Sequence, residues 1–412
     1  MWRPAGQWPR MINTNSGGDD MQPSFYFQGR VNNFFSPTKI TLGVGAAKTV
    51  GAQAKALGHD RVLLVTDQGI VSTGMLEPIK DSLVSEKIAV LVFDRVELET
   101  PARVVDEGAK YARDNNCDLL VALGGGTTID TTKGISLMAT NKGSVLDYVG
   151  VDRVPVKGLP KILIPTTAGS GSEATRAFGV TDEAEKMKKA VSTPYCLADV
   201  AILDPLLTLS LPPVLTAETG LDVLGHAVEA YVSELATPFS DMLALEAMRL
   251  VGKSLLTAYA KGENVEARFD MLLAATLAGL AFGSGGLGAV HAFSFVLETD
   301  HGLGHARAVS VILPHIMQYN KIGALGKYGM IAMALGEQVE GMSNAQAAEM
   351  AVIAVQRLLD ETSISNRLGD YGISQEHLPG LVAGTMKQTR LFVPNPRNMK
   401  EEDVRNIFMQ AL

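Results

Sequence analysis

Residues 118–133 read DLLVALGGGTTIDTTK, an apolar run that passes through three glycines into a more polar segment. The part from Asp118 to Leu123 predicts a buried strand, and the part from Gly124 to Lys133 predicts the start of a helix. Glycines let the backbone approach a pyrophosphate, while the free amides and the dipole of a helix N-terminus favour its negative charge. The stretch therefore predicts an anion cradle, although a simple tight turn is an equal alternative. It is not the GxGxxG pattern, so the usual dinucleotide fold does not follow from it.

Strand and helix patterns alternate along the chain up to about residue 210. The predicted strands are short and rich in Val, Ile and Leu, which is typical of a mostly parallel sheet covered on both faces. After the Leu-Pro-Pro sequence at 211–213, helical patterns such as the one at 242–250 continue to the C-terminus. The predicted strands lie around 62–66, 88–93, 119–123 and 161–164.

These patterns predict an α/β N-terminal domain and an all-helical C-terminal domain. A length of 412 residues exceeds what one ordinary core requires and agrees with two domains. The predicted division is an N-terminal extension at 1–34, the α/β domain at 35–212 and the helical domain at 213–412. The extension lacks the features of a secretory signal, and no function is assigned to it.

Charge and cysteine content exclude several classes of protein. The formal net charge of −8 and the pI near 5.5 argue against nucleic acid as a main partner. Cys117 and Cys196 are the two cysteines, so no disulfide framework is indicated and a reducing cytoplasm is expected. The longest apolar run, around 271–282, is shorter than the roughly 18 residues of a membrane helix, so we expect a buried helix and no membrane partner.

Asp222 and His226 lie four residues apart within the helical pattern at 219–231. Residues four apart share one face of a helix, so these two side chains could hold one ion. A pair of this kind is more often solvated or simply hydrogen-bonded. The nucleotide-type loop at 124–133 changes that balance, and with two downstream histidines the pair indicates one divalent metal site.

His291 and His305 are fourteen residues apart. On a straight helix they would be separated by about 21 Å, far more than the roughly 2.1 Å metal–nitrogen bonds of one site allow. The chain must therefore bend between them, and Gly302 and Gly304 are predicted to supply the break.

Several motifs in a fixed order resemble the iron-containing (group III) alcohol dehydrogenases. The resemblance covers about residues 35 to 412. The motifs that carry it are GGGTTIDTTK at 124–133, IPTTAGSGSEAT at 164–175, AILDP at 201–205, TGLDVLGHAVEAY at 219–231, GGLGAVHA at 285–292, VILPHIMQYN at 311–320 and NPRNM at 395–399.

The resemblance implies an N-terminal α/β dinucleotide-binding domain, an all-helical metal-binding domain and an active site in the cleft between them. It also implies NAD and Fe²⁺ as cofactors. The ligand chemistry alone would equally suit Zn²⁺, Ni²⁺, Co²⁺ or Mn²⁺. The implied metal ligands are Asp222, His226, His291 and His305.

The same resemblance assigns contacts to the dinucleotide. Lys188 matches a family lysine near the cofactor, although in such a charged stretch a solvent-exposed lysine is the simpler alternative. The residues that match the two cofactor loops are Gly124, Gly125, Gly126, Thr127, Thr128 and Asp130, followed by Thr166, Thr167 and Ser170.

Asp67 follows the predicted strand at 62–66, where the family carries an Asp facing the adenosine ribose. A carboxylate there would accept hydrogen bonds from ribose hydroxyls and repel a 2′-phosphate, which favours NAD(H) over NADP(H). The alternative is that Asp67 caps the following turn.

Two positions depart from the family pattern. Phe295 stands where many members have a second histidine, so we expect His301, four residues before His305, as a substitute catalytic residue against the alternative of a pocket-lining role. Arg307, two residues after a ligand, leads to the hypothesis that the substrate carries an anionic end. A salt bridge that faces outward is the alternative role for Arg307.

The expected function is a metal-dependent oxidoreductase that transfers a hydride between NAD(H) and a short-chain alcohol or aldehyde. The metal would polarise the substrate oxygen. A sugar-phosphate cyclase of the dehydroquinate synthase type is the alternative, and a non-catalytic binding protein is a third. Family analogy predicts a homodimer or a larger homo-oligomer.

Overall fold

A six-stranded parallel sheet forms the centre of the N-terminal half in the computed structural model, which describes residues 31, 33–185 and 187–412. Its strand order is β1-β9-β6-β4-β2-β3, and the remaining three strands form a separate small sheet in the order β5-β8-β7. The strands are β1 (Lys39–Leu42), β2 (Arg61–Val65), β3 (Ala89–Phe93), β4 (Leu119–Gly124), β5 (Gly150–Val151), β6 (Lys161–Pro165), β7 (Ala177–Asp182), β8 (Met187–Ser192) and β9 (Val200–Leu203).

The helices of the described residues divide into those that cover the sheet and those that follow it. The first five are α1 (Val50–Ala56), α2 (Gln68–Thr73), α3 (Leu76–Ser85), α4 (Ala102–Asp114) and α5 (Gly126–Thr140). The later ones are α6 (Pro213–Val232), α7 (Pro238–Ala260), α8 (Val265–Gly285), α9 (Ala289–His301), α10 (His305–Asn320), α11 (Leu325–Ala334), α12 (Asn344–Glu361), α13 (Leu378–Met386), α14 (Thr389–Phe392) and α15 (Glu401–Ala411).

Both faces of the large sheet are buried, as the apolar runs predict. Leu119 and Val121 of β4 pack with residues of α1 and α3, whereas Leu120 packs on the opposite face with residues of α4 and α5. Successive side chains of a strand point to opposite faces, so a continuous apolar run is buried on both. Each fully buried Leu or Val contributes about 1.5–3 kcal/mol relative to an exposed one.

The predicted α/β and all-helical parts are confirmed, and the four predicted strands agree with β2, β3, β4 and β6 to within one residue. The patterns do not predict β1 and β9, which are only four residues long and pair with each other. They also miss the small sheet, in which β7 and β8 are antiparallel. Such short strands carry too few residues for a periodic signal.

The change from sheet to helices falls where the prolines predict it. Pro213 is the first residue of α6, a position where its fixed φ suits the helix and its missing N–H is not needed. The division into domains at 212 remains a prediction, because residues Phe34–Leu412 form one compact unit. Of the predicted N-terminal extension, only residues 31, 33 and 34 lie within the described part of the chain.

Long helices form the core of the C-terminal half. α6, α7 and α8 pack against one another, and side chains such as Leu224, Val251 and Ala278 are completely buried there. The run at 271–282 lies within α8, as predicted. Among the described residues, no single helix has the length and composition to cross a membrane; α8 and α9 reach that threshold only as a pair, which is bent by 109°.

Candidate metal and cofactor site

A cavity of about 670 Å³ lies between the carboxyl ends of the sheet strands and the long helices. Residues of the glycine-rich loop line one side, and three of the four predicted metal ligands line the other. The predicted site residues that line it are Gly126, Thr127, Asp130, Ser170, Lys188, His226, His291, Phe295 and His305.

The four predicted metal ligands converge. Asp222 and His226 lie on α6, His291 on α9 and His305 at the start of α10. Each offers one ligand atom, and these atoms lie within 4.8 Å of one another. Nε2 of His226 and Nε2 of His305 are both 3.8 Å from Oδ1 of Asp222.

The bend that brings His305 back to His291 is the predicted one. α9 ends at His301, and Gly302 follows with a φ of 67°, a left-handed conformation that glycine adopts without strain. Leu303 N–H then donates to the carbonyl of Leu297, which closes the turn before α10 begins at His305. The predicted break is confirmed.

The chemistry of this cluster fits a divalent cation. Two atoms that each lie about 2.1 Å from one ion are at most about 4.2 Å apart, so the 3.8 Å separations need no rearrangement. Oδ1 of Asp222 and Nε2 of His291 are buried and have no hydrogen-bond partner among the described residues. Buried polar atoms without a partner are costly, so a ligand for these atoms is expected.

Burial favours the neutral form of His226. It lowers the pKa of His226 to about 3, so the imidazole carries a free lone pair at neutral pH. Its ring stacks between those of Phe282 and His291, with both centroids 4.7 Å away. This packing leaves His226 only 4% exposed.

Two carboxylates contact the Nδ1 atoms of two of the three imidazoles, on the side of each ring opposite to its Nε2 atom. Oε2 of Glu229 lies 2.6 Å from Nδ1 of His291, and Oε2 of Glu298 lies 3.1 Å from Nδ1 of His305. Each carboxylate directs the Nε2 atom of its histidine toward Asp222. Hydrogen-bonded carboxylates behind metal-binding histidines fix the tautomer and the ring orientation.

The glycine loop forms an open cradle. Gly125 precedes α5 and makes no side-chain cap hydrogen bond, so the first amides of this 15-residue helix have no partner within the described part of the chain. A Cβ on Gly126 would lie 2.7 Å from Oγ of Ser170, and a Cβ on Gly125 would lie 3.2 Å from Thr167. The two predicted cofactor loops are therefore in contact, and only glycine leaves the space between them open.

The sheet topology explains this position. β2 leads to its outer neighbour β3, whereas β4 leads to β6 on the other side, so the strand order reverses between β2 and β4. Crevices outside the carboxyl ends of parallel strands at such a reversal bind nucleotides in open α/β sheets. Asp67 follows β2 and Gly124 ends β4 at this point.

Thr166 and Asp130, two other predicted loop residues, form hydrogen bonds that stabilise the glycine loop. Thr166 N–H donates to the carbonyl of Gly124 at 3.0 Å, which holds the two loops side by side. Asp130 accepts hydrogen bonds from Ser172 Oγ and from the N–H of Gly179, the latter at 3.0 Å. These contacts tie α5 to the second loop and to β7.

Asp67 caps the helix that follows it, which is the alternative role stated in the sequence analysis. Its Oδ1 accepts from the N–H of Ile70 at 3.0 Å and so caps α2, while its Oδ2 accepts from Oγ1 of Thr128 at 3.1 Å. Asp67 and Thr128 do not line the cavity. A contact of Asp67 with a ribose remains a prediction.

His301 does not occupy the place that the sequence suggests. It ends α9, packs edge-on against His377 with centroids 4.8 Å apart, and is not among the cavity-lining residues. Counting four residues back from His305 crosses the break at Gly302, so the two do not share a helix face. Along α9, His301 is about 15 Å beyond His291. The catalytic and pocket-lining roles expected of His301 are not supported.

Arg307 is also turned away from the cavity. Its Nε donates to Oε1 of Glu218, and its guanidinium lies 5.7 Å from the ring centroid of Tyr371. His305 and Ala306 line the cavity, but Arg307 does not. Residues two apart on a helix point about 200° apart, which explains the difference. The substrate contact expected of Arg307 is therefore corrected to the alternative salt bridge.

Phe295 lies in the cavity as an apolar neighbour of the imidazoles. Its ring centroid is 6.3 Å from that of His291 and 6.1 Å from that of His305. It occupies the expected position four residues after His291 on α9. An apolar ring therefore stands at the position where the resemblance implies a second histidine.

The sequence reasoning missed Glu229, Glu298 and Phe282. A signal existed for the two carboxylates: Glu229 is three residues after His226, and Glu298 is seven residues after His291, both on the same helix face. Which histidine each carboxylate contacts depends on packing between helices, which the spacing alone does not reveal.

Comparisons with known proteins agree with this arrangement. The model of the iron-containing alcohol dehydrogenase family matches residues 37–205, and that of the family's C-terminal part matches residues 216–412. The chain belongs to the iron-containing alcohol dehydrogenase family. Three known members of this family are similar over nearly the whole chain.

An NAD-dependent methanol dehydrogenase of Bacillus methanolicus is 38% identical over 93% of this chain and 100% of its own length. A sulfoacetaldehyde reductase of Bilophila wadsworthia is 35% identical over 90% of this chain and 96% of its own. The crystal structure of a 1,3-propanediol oxidoreductase has a TM-score of 0.91 and 36% identity, covering 93% of this chain and all of its own. These family members give no support to the alternative of a sugar-phosphate cyclase.

Proposed function

We propose that this iron-containing alcohol dehydrogenase family member transfers a hydride between NAD(H) and a short-chain alcohol or aldehyde. One observation carries the proposal: three imidazoles and a carboxylate converge beside the cavity that the glycine cradle also lines, and Oδ1 of Asp222 and Nε2 of His291 are buried there without a hydrogen-bond partner among the described residues. Hydride transfer requires the cofactor and the substrate oxygen to be held in one place. The printed name of the Bacillus methanolicus relative supports NAD as the cofactor.

Asp222, His226, His291 and His305 would hold the metal, for which we propose Fe²⁺. When bound, the ion supplies a Lewis acid that polarises the substrate oxygen. Glu229 and Glu298 orient two of the imidazoles, and Phe295 shields the cavity side. Zn²⁺, Ni²⁺, Co²⁺ and Mn²⁺ remain chemical alternatives for the same ligand set.

The cradle at Gly124–Gly126 and the N-terminus of α5 would hold the diphosphate of NAD. Their free amides and the helix dipole attract negative charge, and the absence of side chains permits close approach. Thr127 would border the same group. The second loop, with Thr166, Thr167 and Ser170, would lie beside the nicotinamide ribose, and Lys188 would lie near the cofactor. Asp67 follows β2 at the point where the strand order reverses. Its carboxylate would repel a 2′-phosphate, which favours NAD(H) over NADP(H).

Metal removal and restoration test this function. The protein is stripped with a chelator, dialysed, and restored anaerobically with Fe²⁺ or with each alternative ion, and NADH formation from short alcohols is followed by absorbance. We expect no turnover without metal and recovery with Fe²⁺. Full activity of the protein after complete metal removal would refute the metal-dependent mechanism.

A second part of the proposal concerns the substrate. The sulfoacetaldehyde reductase relative shows that this family includes a reductase of an anionic aldehyde. Arg390 on α14 lines the cavity beside Gln388, and it has no ion pair or side-chain hydrogen bond among the described residues. A free guanidinium suits a carboxylate or a sulfonate. We therefore assign the anionic end of the substrate to Arg390 in place of Arg307.

Cellular location and assembly complete the proposal. Cys117 and Cys196 are free and buried, which agrees with a reducing cytoplasm. A homodimer or larger homo-oligomer rests on family analogy, and sedimentation of the purified protein measures it.

A further inference from the structure

Glu298 is a buried carboxylate that lies between two residues lining the cavity, Lys188 and His305. Its side chain is 2% exposed, and it lies on α9 seven residues after His291. A carboxylate in this position is costly unless opposite charges and hydrogen bonds compensate for the loss of water. Two side chains provide that compensation, and they come from different parts of the fold.

The first partner of Glu298 is His305. Oε2 of Glu298 lies 3.1 Å from Nδ1 of His305, which leaves Nε2 of His305 directed at Asp222. His305 is the first residue of α10, directly after the bend at Gly302 and Gly304. Its side chain is 27% exposed, more than the 5% of His226 and the 1% of His291. Packing therefore restrains His305 less than the other two imidazoles.

The second partner is Lys188 of β8. Its Nζ donates to Oε1 of Glu298 and also to Oε2 of Glu99, the latter at 3.1 Å. The ammonium group holds the carboxylate from the side of the cofactor loops, while His305 holds it from the side of the helices. The chain Lys188–Glu298–His305 thus connects the small sheet to a predicted metal ligand.

We propose that Glu298 is a positioning residue that holds His305 in its metal-binding orientation and that Lys188 holds Glu298 in turn. The inference rests on the proposed function, since it requires the four-residue cluster to bind a metal. Glu298 lies outside the four-residue cluster and does not line the cavity, so it acts through His305. One buried carboxylate, that of Glu298, then contacts both Lys188 on the cofactor side of the cavity and His305 on the metal side.

The test measures metal binding directly, with Co²⁺ as a probe whose visible absorption reports its ligand geometry. The affinity of wild-type protein for Co²⁺ is determined by competition with a chromophoric chelator, and Glu298→Gln is compared with it. Loss of a partner of this kind is expected to weaken metal binding by about 10–100-fold. The Co²⁺ absorption band is also expected to change, which a purely structural role of Glu298 would not cause.

Asp300→Asn is the matched control. Asp300 lies two residues further along α9, is exposed, and loses the same charge in the variant. An exposed charge contributes little, so its Co²⁺ affinity is expected to stay within about twofold of wild type. Equal losses in both variants would assign the effect to net charge and overturn the proposal.

The double variant Glu298→Gln/Lys188→Gln covers the case in which the single variant folds poorly because Lys188 is left with Glu99 alone. It removes the buried charge pair as a whole, and we expect the same loss of Co²⁺ affinity as in Glu298→Gln. Wild-type Co²⁺ affinity and spectrum in a folded Glu298 variant would overturn the positioning role and leave the proposed function intact. Failure of the wild type to bind Co²⁺, Fe²⁺ or Zn²⁺ would instead overturn both.

Discussion

Oε2 of Glu229 lies 2.6 Å from Nδ1 of His291, and both side chains are almost completely buried. Oε1 of the same carboxylate accepts a hydrogen bond from the N–H of Val290, so Glu229 is held at both oxygens. The pair ties α6 to the first turn of α9. It sets the rotation of the imidazole whose Nε2 has no other partner among the described residues.

Glu229→Gln is expected to weaken metal binding by about 10–100-fold, because the imidazole of His291 loses a charged acceptor that fixes its orientation. Metal retained after equilibration with a chelator of known affinity measures the effect. Glu246→Gln, which removes a half-exposed carboxylate on α7 that pairs with Arg249, serves as control. Metal retention equal to wild type in Glu229→Gln would show that packing alone orients His291.

Gly126→Ala is expected to weaken NADH binding. The added Cβ would lie 2.7 Å from Oγ and 2.9 Å from Cβ of Ser170, so the cradle must shift or close. Overpacking of this kind costs about 1–3 kcal/mol, or about fivefold to 150-fold in affinity. NADH fluorescence titration measures it. Gly326→Ala, where the new Cβ meets nothing within 4 Å, should bind NADH as wild type does.

Arg390→Ala is expected to lower kcat/KM for sulfoacetaldehyde and succinic semialdehyde and to leave propionaldehyde nearly unaffected. A hydrogen bond to a charged group contributes about 1.5–3 kcal/mol, which corresponds to a selective loss of about 10–150-fold. Arg307→Ala is the comparison, because that guanidinium is paired with Glu218 outside the cavity. An equal loss for neutral and anionic aldehydes in Arg390→Ala would contradict the assignment.

Lys161→Met is expected to stabilise the protein at neutral pH. Lys161 on β6 is fully buried with one hydrogen bond from Nζ, to the carbonyl of Tyr195 at 2.9 Å, and burial lowers its pKa from 10.5 to about 8. Between these values the unfolded chain holds a proton that the folded protein releases, so this lysine makes stability rise with pH from about 8 to 10.5. Below about pH 8, Lys161 is charged while buried, and this lowers the free energy of unfolding.

The gain from Lys161→Met at about pH 7 is expected to be on the order of 2 kcal/mol after the lost hydrogen bond is subtracted. It should shrink as the pH rises from about 8 through 10.5, because wild-type Lys161 is neutral in both the folded and the unfolded state only above that range. Urea unfolding at several pH values measures the difference. Lys157→Met, at a side chain that is 60% exposed, provides the control and should change stability by less than about 0.5 kcal/mol. A stability difference between Lys161→Met and wild type that does not vary with pH would contradict this account.

The sequence by itself determined the main layers of the fold and the residues that converge at the site. β4 and α5 follow from an apolar run and a glycine triplet, and the bend before His305 follows from Gly302, because these are local properties of the backbone. Asp222 and His226 share a face by helical spacing alone. Such features depend on neighbours in the chain, which sequence patterns describe well.

Only the tertiary structure decided which side chains act together across elements. Counting along the chain suggested His301 and Arg307, but a helix break separates the first from His305 and helix rotation turns the second toward Glu218. Glu298 reaches His305 and Lys188 because α9, α10 and β8 pack together, over a separation of 110 residues between Glu298 and Lys188. Contacts over such distances arise from the packing of whole elements, and no local pattern encodes them.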